Sequence, residues 1–200
     1  MIAIIDYGMG NLRSVQKAFE AVGAEAVITA DKAVLDKAAG IVLPGVGAVR
    51  PAMARLNELG FVPVIKEQIS SGKPFLGICL GYQLLFETST EGGDVKALGV
   101  LAGTVERFPS LKVPQMGWNE LLFPRKDCSM FQGVPEGAFV YFCHSYYVKP
   151  KDITIASALT DYGLTYASAV CSGNVWGVQF HPEKSQKVGL QVLKNFMERV

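Results

Sequence analysis

The chain has 200 residues, 50% of them hydrophobic and 18% charged, with a formal net charge of +1. That is long enough for one domain with a sizeable core, and too apolar for a disordered chain. Near-neutral charge excludes a general attraction to nucleic acid or to an anionic membrane surface.

Ile2 to Ile5 reads as a fully buried strand, stopped by Asp6-Tyr7-Gly8-Met9-Gly10-Asn11. It lacks the basic start and the length of a signal peptide, and no later apolar run is long enough to span a bilayer, so a cytoplasmic protein without a membrane partner is expected. Val15, Ala18, Phe19 and Val22 mark a helix closed by Gly23. Ala26 to Thr29 and Ile41 to Leu43 read as strands, the latter followed at once by Pro44-Gly45-Val46-Gly47. Helical patterns cover Pro51 to Leu59 and Val62 to Ser71, and Pro74 to Ile78 is another short strand. Leu80, Gln83 and Leu84 then suit the opening of a helix.

Apolar strands alternating with helices predict an α/β fold, an open, mostly parallel sheet with helices on both faces. Sites in such sheets lie beyond the carboxyl ends of the strands, so the loops after Leu43 and Ile78 should share one edge. The second half differs. Val105 to Phe108, Trp118 to Leu122, Phe139 to Phe142, Ile155 to Leu159, Tyr166 to Cys171 and Val175 to Phe180 read as strands with short polar turns, the antiparallel additions to a mixed sheet. A last helix runs from about Lys187 to Arg199, with Leu190, Leu193 and Phe196 on one face. With no repeat or linker, residues 1–200 are read as a single domain.

Gly77-Ile78-Cys79-Leu80-Gly81 places a cysteine on a strand-to-helix corner between two glycines, the cysteine form of the nucleophile elbow. A thiol there meets free N–H groups and the positive end of a helix, which favours the thiolate. Downstream stands Phe180-His181-Pro182-Glu183-Lys184. Pro182 disfavours helix at His181, so an extended segment is expected, with His181 and Glu183 on one side. Thiol, imidazole and orienting carboxylate are the parts of a nucleophilic triad. The other histidine, His144, has no carboxylate two residues away and reads as structural or pocket-lining. Backbone N–H groups of the Pro44 to Gly47 loop and of Leu80 are candidate oxyanion donors. Gly8-Met9-Gly10 lacks the third glycine of a dinucleotide fingerprint, since Arg13 takes its place, and the cysteines have no zinc-site spacing. No cofactor and no metal are expected.

The elbow G-I-C-L-G-Y-Q together with the later F-H-P-E resembles the class I (triad) glutamine amidotransferases, whose fold has a flavodoxin-like core. The opening I-I-D-Y-G-M-G-N-L, the segments P-G-V-G, P-Q-M-G-W-N and H-S-Y-Y-V, and the ending G-V-Q-F-H-P-E-K-S extend the likeness over nearly the whole chain. Tyr82 and Val49 depart from common family residues at positions that carry no chemistry. The resemblance implies a glutaminase in which Cys79 attacks L-glutamine, His181 moves protons and Glu183 orients the histidine. It implies Val46 and Leu80 as oxyanion donors, with Gly47, Gln83, Glu91, Ser145 and Tyr146 around the glutamine. It further implies a heterodimer with a (β/α)₈-barrel cyclase subunit that receives the ammonia, contacted through the Gly8 to Asn11 loop, Met116, Trp118, Tyr141 and Lys184. The alternatives are a class I glutaminase serving another synthase, or a cysteine hydrolase of the DJ-1 or peptidase kind.

Overall fold

The structure, a computed structural model, describes residues 1–109, 112–123 and 128–200. The first half comprises β1 (Ile2–Ile5), α1 (Leu12–Ala21), β2 (Ala26–Thr29), α2 (Lys32–Lys37), β3 (Gly40–Gly45), α3 (Val49–Glu58), α4 (Phe61–Ser70), β4 (Phe75–Cys79) and α5 (Leu80–Leu84). The second half comprises β5 (Thr88–Ser89), β6 (Val95–Lys96), β7 (Gly103–Arg107), β8 (Gln115–Glu120), β9 (Phe139–His144), β10 (Tyr146–Pro150), β11 (Ala156–Asp161), β12 (Thr165–Ser172), β13 (Val175–Val178) and α6 (Gln186–Met197). Among the described residues no helix is long and apolar enough to cross a membrane.

Strands β2-β1-β3-β4-β13 lie side by side, all parallel. Because side chains alternate across a strand, each strand feeds two cores. Ala3, Ile5, Ile41, Leu43 and Phe75 pack with Leu35, Leu56 and Ile65 of α2, α3 and α4. Ile2, Ile4, Val42, Leu76, Ile78 and Trp176 pack on the other face with Phe19 of α1 and Leu193 and Phe196 of α6. Each fully buried large side chain contributes roughly 1.5–3 kcal/mol. Both faces are covered, which is why these strands read as unbroken apolar runs. From β13 the sheet continues antiparallel through β12, β10 and β7, while β5 returns parallel to β7. β8 and β9 form a separate two-stranded ribbon.

Several boundaries differ from the sequence reading. β3 runs on through Pro44 and Gly45, paired with Ile78 and Cys79. On its other side pairing with β1 ends at Val42, so the N–H that Pro44 lacks is not missed there. β8 runs from Gln115 to Glu120, starting three residues and ending two residues ahead of the expected Trp118 to Leu122. Helix α2 and strand β10 were not anticipated. The capping Asp31, whose carboxylate accepts from the Ala33 N–H at 2.9 Å, was the legible signal for α2. β13 stops at Val178, and Pro182–Lys184 form a 3₁₀ turn rather than an extended segment. Proline is favoured at the first position of a helical turn, so Pro182 opens that turn after an extended His181.

Candidate active site

β4 ends on Cys79, whose backbone takes φ 54 and ψ −108, a left-handed conformation rare outside glycine. Such strain costs about 1–3 kcal/mol and persists only where the surroundings enforce it. Here the flanking glycines leave room for it. A Cβ on Gly81 would run into the Leu43 carbonyl of the neighbouring strand, and one on Gly77 would meet the Gly81 carbonyl oxygen at 2.8 Å. The turn can therefore fold back onto β3. The helix behind it is five residues long, so it offers free first-turn N–H groups but little dipole. Pairing of Gly45 with Cys79 sets the exposed Val46 and Gly47 beside the sulfur. The two loops expected on one edge are thus neighbours. Underneath, Tyr7 is fully buried with its hydroxyl unpartnered. Burial first, and then the Cys79 charge, hold its proton far more tightly than in an ordinary tyrosine.

β13 pairs directly with β4, Val178 beside Ile78, which delivers His181 to the elbow. Its Nδ1 lies 2.8 Å from Oε1 of Glu183, and both side chains are at most 5% exposed. The 3₁₀ turn, not strand alternation, brings this carboxylate under the ring. Burial alone would discharge the imidazole. The neighbouring Cys79 and the hydrogen-bonded Glu183, with their negative charges, outweigh it and raise the histidine to about 10. Ser185, fully buried, locks the turn: its hydroxyl donates to the His181 carbonyl at 2.6 Å and accepts the Tyr141 N–H at 3.0 Å.

Cys79 and His181 open into a cavity of 240 Å³ whose wall also includes Val46, Gly47, Leu80, Gln83, Glu91, Ser145 and Tyr146. Every residue implied for oxyanion or glutamine contacts is therefore on one wall. One oxygen of Glu91 accepts the Val49 N–H at 2.8 Å, which fixes the carboxylate at the start of α3. Gln83 gives amide hydrogens to the Tyr146 carbonyl at 3.0 Å and to Gln179 Oε1 at 2.9 Å, leaving its own carbonyl oxygen for a ligand. His144 also lines the cavity and is bonded through Nδ1 to the Tyr146 carbonyl at 2.7 Å. Burial is the main force pushing it down to about 4; that carbonyl opposes the shift and the His181 charge adds to it. It stays neutral at neutral pH, in keeping with a pocket-lining residue.

Two participants escaped the sequence reading. Ser185 carries no distinctive spacing. Gln179 is fully buried and points its amide nitrogen at Cys79 Sγ, 3.8 Å away. It lies just beyond β13, in the bend that leads to His181, and carried no distinctive signal. Among the described residues no group of three or more His, Cys, Asp or Glu side chains could hold a metal ion.

Of the residues implied for partner contact, Lys184 lines the cavity, with Nζ 5.7 Å from the Tyr141 ring centre. Trp118 stands opposite Tyr141 in the β8–β9 register, their rings 6.1 Å apart, and Met116 is next along the same face. Asn11 is exposed at the start of α1, with no side-chain cap bond, in the loop whose Gly10 approaches Gly45. It lies outside the cavity wall.

A sequence profile of the family Glutamine amidotransferase class-I matches residues 3–200. A protein of Moorella thermoacetica named "Imidazole glycerol phosphate synthase subunit HisH" is 52% identical, over 100% of this chain and 95% of its own. One of the same name from Syntrophotalea carbinolica is 54% identical, over 98% of each. A solved structure described as a glutamine amidotransferase superposes with a TM-score of 0.78 at 19% identity, covering 100% of this chain and 98% of the other, and so speaks for the fold.

Proposed function

The chain belongs to the class-I glutamine amidotransferases, and from that premise we propose how it works as the glutaminase subunit of an imidazole glycerol phosphate synthase. Cys79 Sγ attacks the side-chain carboxamide carbon of L-glutamine. The N–H groups of Val46 and Leu80 receive the oxyanion, a contribution worth about 2.7–4 kcal/mol per donor in comparable sites. His181, charged at rest, passes its proton to the departing nitrogen, and ammonia leaves. Neutral His181 then takes a proton from the water that attacks the thioester, and glutamate is released with the thiolate restored. Glu183 holds the ring through both half-reactions. Glu91 and the free oxygen of Gln83 suit the substrate α-ammonium, and Gly47, Ser145 and Tyr146 complete the pocket.

The ammonia is passed to a (β/α)₈-barrel cyclase subunit docked on the face of Met116, Trp118, Tyr141, Lys184 and Asn11, in the cytoplasm. The observation that carries the reaction is His181, bonded to Glu183 at 2.8 Å, opening with Cys79 into one cavity. Whole-length likeness to the HisH subunits carries the assignment to the synthase. The test is Cys79→Ala in the complex with the cyclase. Glutamine-driven synthesis should fall by more than about 10⁴-fold, the scale on which single members of such triads act. Synthesis from added ammonium should persist. Loss of both activities would show that Cys79 does something other than release ammonia.

A further inference from the structure

We propose that Gln179 is a positioning residue for the nucleophile, the last member of a hydrogen-bond relay that runs from the Tyr146 carbonyl through Gln83 to the Cys79 sulfur. The inference rests on the reading of Cys79 as the attacking group and adds to it a second support, independent of His181. Its force lies in the direction of the relay. A side-chain amide can be turned end for end without changing its shape, so its orientation must come from its partners. The Tyr146 carbonyl can only accept. Gln83 must therefore turn its nitrogen toward that oxygen, at 3.0 Å. The second hydrogen on the same nitrogen then needs an acceptor, which obliges Gln179 to present Oε1, at 2.9 Å. Gln179 is left with its own nitrogen facing Cys79 Sγ, at 3.8 Å. Turning either amide would set donor against donor or acceptor against acceptor in a place closed to water, since Gln179 is fully buried and Gln83 is 5% exposed. The backbone N–H of Gln179 is itself held by the Ser168 carbonyl at 2.8 Å, which fixes the side chain's point of departure.

An N–H fixed in this way stabilises negative charge on sulfur and costs no reorganisation when the thiolate forms or returns. It also ties the residue that grips glutamine to the atom that attacks it, because Gln83 forms part of the cavity wall. The other titratable groups around the sulfur are His181 with Glu183 and, beneath, Tyr7. Glu91, Cys143, His144, Tyr146 and Lys184 stand around the cavity. The Gln179 side chain bonds to Gln83 and Cys79 and to none of these groups.

The test is the pH dependence of Cys79 alkylation by iodoacetamide in the full chain, read by mass spectrometry of the Cys79 peptide. Gln179→Glu keeps an acceptor for Gln83 and replaces the donor facing the sulfur. Gln179→Met removes donor and acceptor at similar volume. Hydrogen bonds to charged groups are strong enough that the midpoint of alkylation should rise by about one pH unit in either variant, roughly tenfold slower reaction below it. Gln83→Leu lies on the cavity wall and removes only the anchor of the relay; it should move the midpoint the same way by less. A carboxylate beside the sulfur raises the midpoint by its charge alone, so Gln179→Met and Gln83→Leu decide: a purely structural role would leave their midpoints in place, and unchanged midpoints there would overturn the proposal. Failure of the nucleophile reading looks different: glutaminase activity would survive Cys79→Ala, whatever the alkylation profile of the Gln179 variants.

Discussion

The elbow and the β8–β9 ribbon are built on opposite principles. Around Cys79 both faces of the sheet are covered, and Gly81 lies so near the Leu43 carbonyl that no side chain fits. The ribbon is covered on one face alone. Val140, Phe142 and His144 point inward, while Met116, Trp118 and Phe139 are 64%, 47% and 55% exposed. Bond-making geometry must be right before substrate arrives, so it is set in a core that cannot relax. The docking face proposed for the ribbon must still have apolar area left to bury when a partner comes. The two regions meet at Tyr141, whose carbonyl accepts the His181 N–H at 2.9 Å while its ring belongs to the exposed face.

The contrast is sharpest under substitution. Gly81→Ala should cost more than about 4 kcal/mol, because a backbone carbonyl and not a movable side chain occupies the space. Gly23→Ala, at positive φ but with nothing within 4 Å, should cost about 1 kcal/mol. Urea unfolding of both variants measures the difference, and equal losses would show that the elbow is no tighter than an ordinary helix end.

His144, on the covered face of the ribbon, tests whether that face is as dry as the core. Its folded value of about 4 lies below the ordinary 6.5. Between those values the unfolded chain takes up a proton that the folded chain refuses. Its contribution is therefore complete above pH 6.5 and is lost as the pH falls through about 4. The loss is on the order of 3 kcal/mol. Unfolding curves across this range should show it, and His144→Phe should remove that part of the slope. An unchanged slope would mean that the ring is wetter than its burial indicates.

Trp118→Ala should have the smallest effect on the chain itself, within about 0.5 kcal/mol of stability, because its ring lies on the open face. Affinity for the cyclase should fall by about 2 kcal/mol, near thirtyfold, as for other aromatic anchors. Calorimetric titration of the two subunits reads this directly. A variant that loses stability but keeps its affinity would make Trp118 part of the fold rather than of the docking face.

Much of the site was legible because its signals are local. Glycines on both sides of Cys79, a proline after His181 and a carboxylate two residues on state their chemistry within a few positions. Strands β1 to β4 declared themselves as apolar runs for the same reason. Misreadings arose where a neighbour distant in sequence decided. Strand pairing carried β3 past Pro44, and the partner strand β9 set the register of β8. β10 mixes Lys149 and Pro150 with aromatic residues and is a strand because β7 and β12 flank it.

The sequence by itself marked Cys79, His181 and Glu183 as the candidates for nucleophile, base and orienting carboxylate, and carried the likeness to the family. Only the tertiary structure decided which way the amides of Gln83 and Gln179 face, that His144 stays uncharged, and which side of the ribbon is left bare. The hydrogen bonds of these amides join residues 63, 96 and 100 positions apart. No run of neighbouring residues encodes the direction of a hydrogen bond; it is fixed by what each group meets after the chain has closed around it.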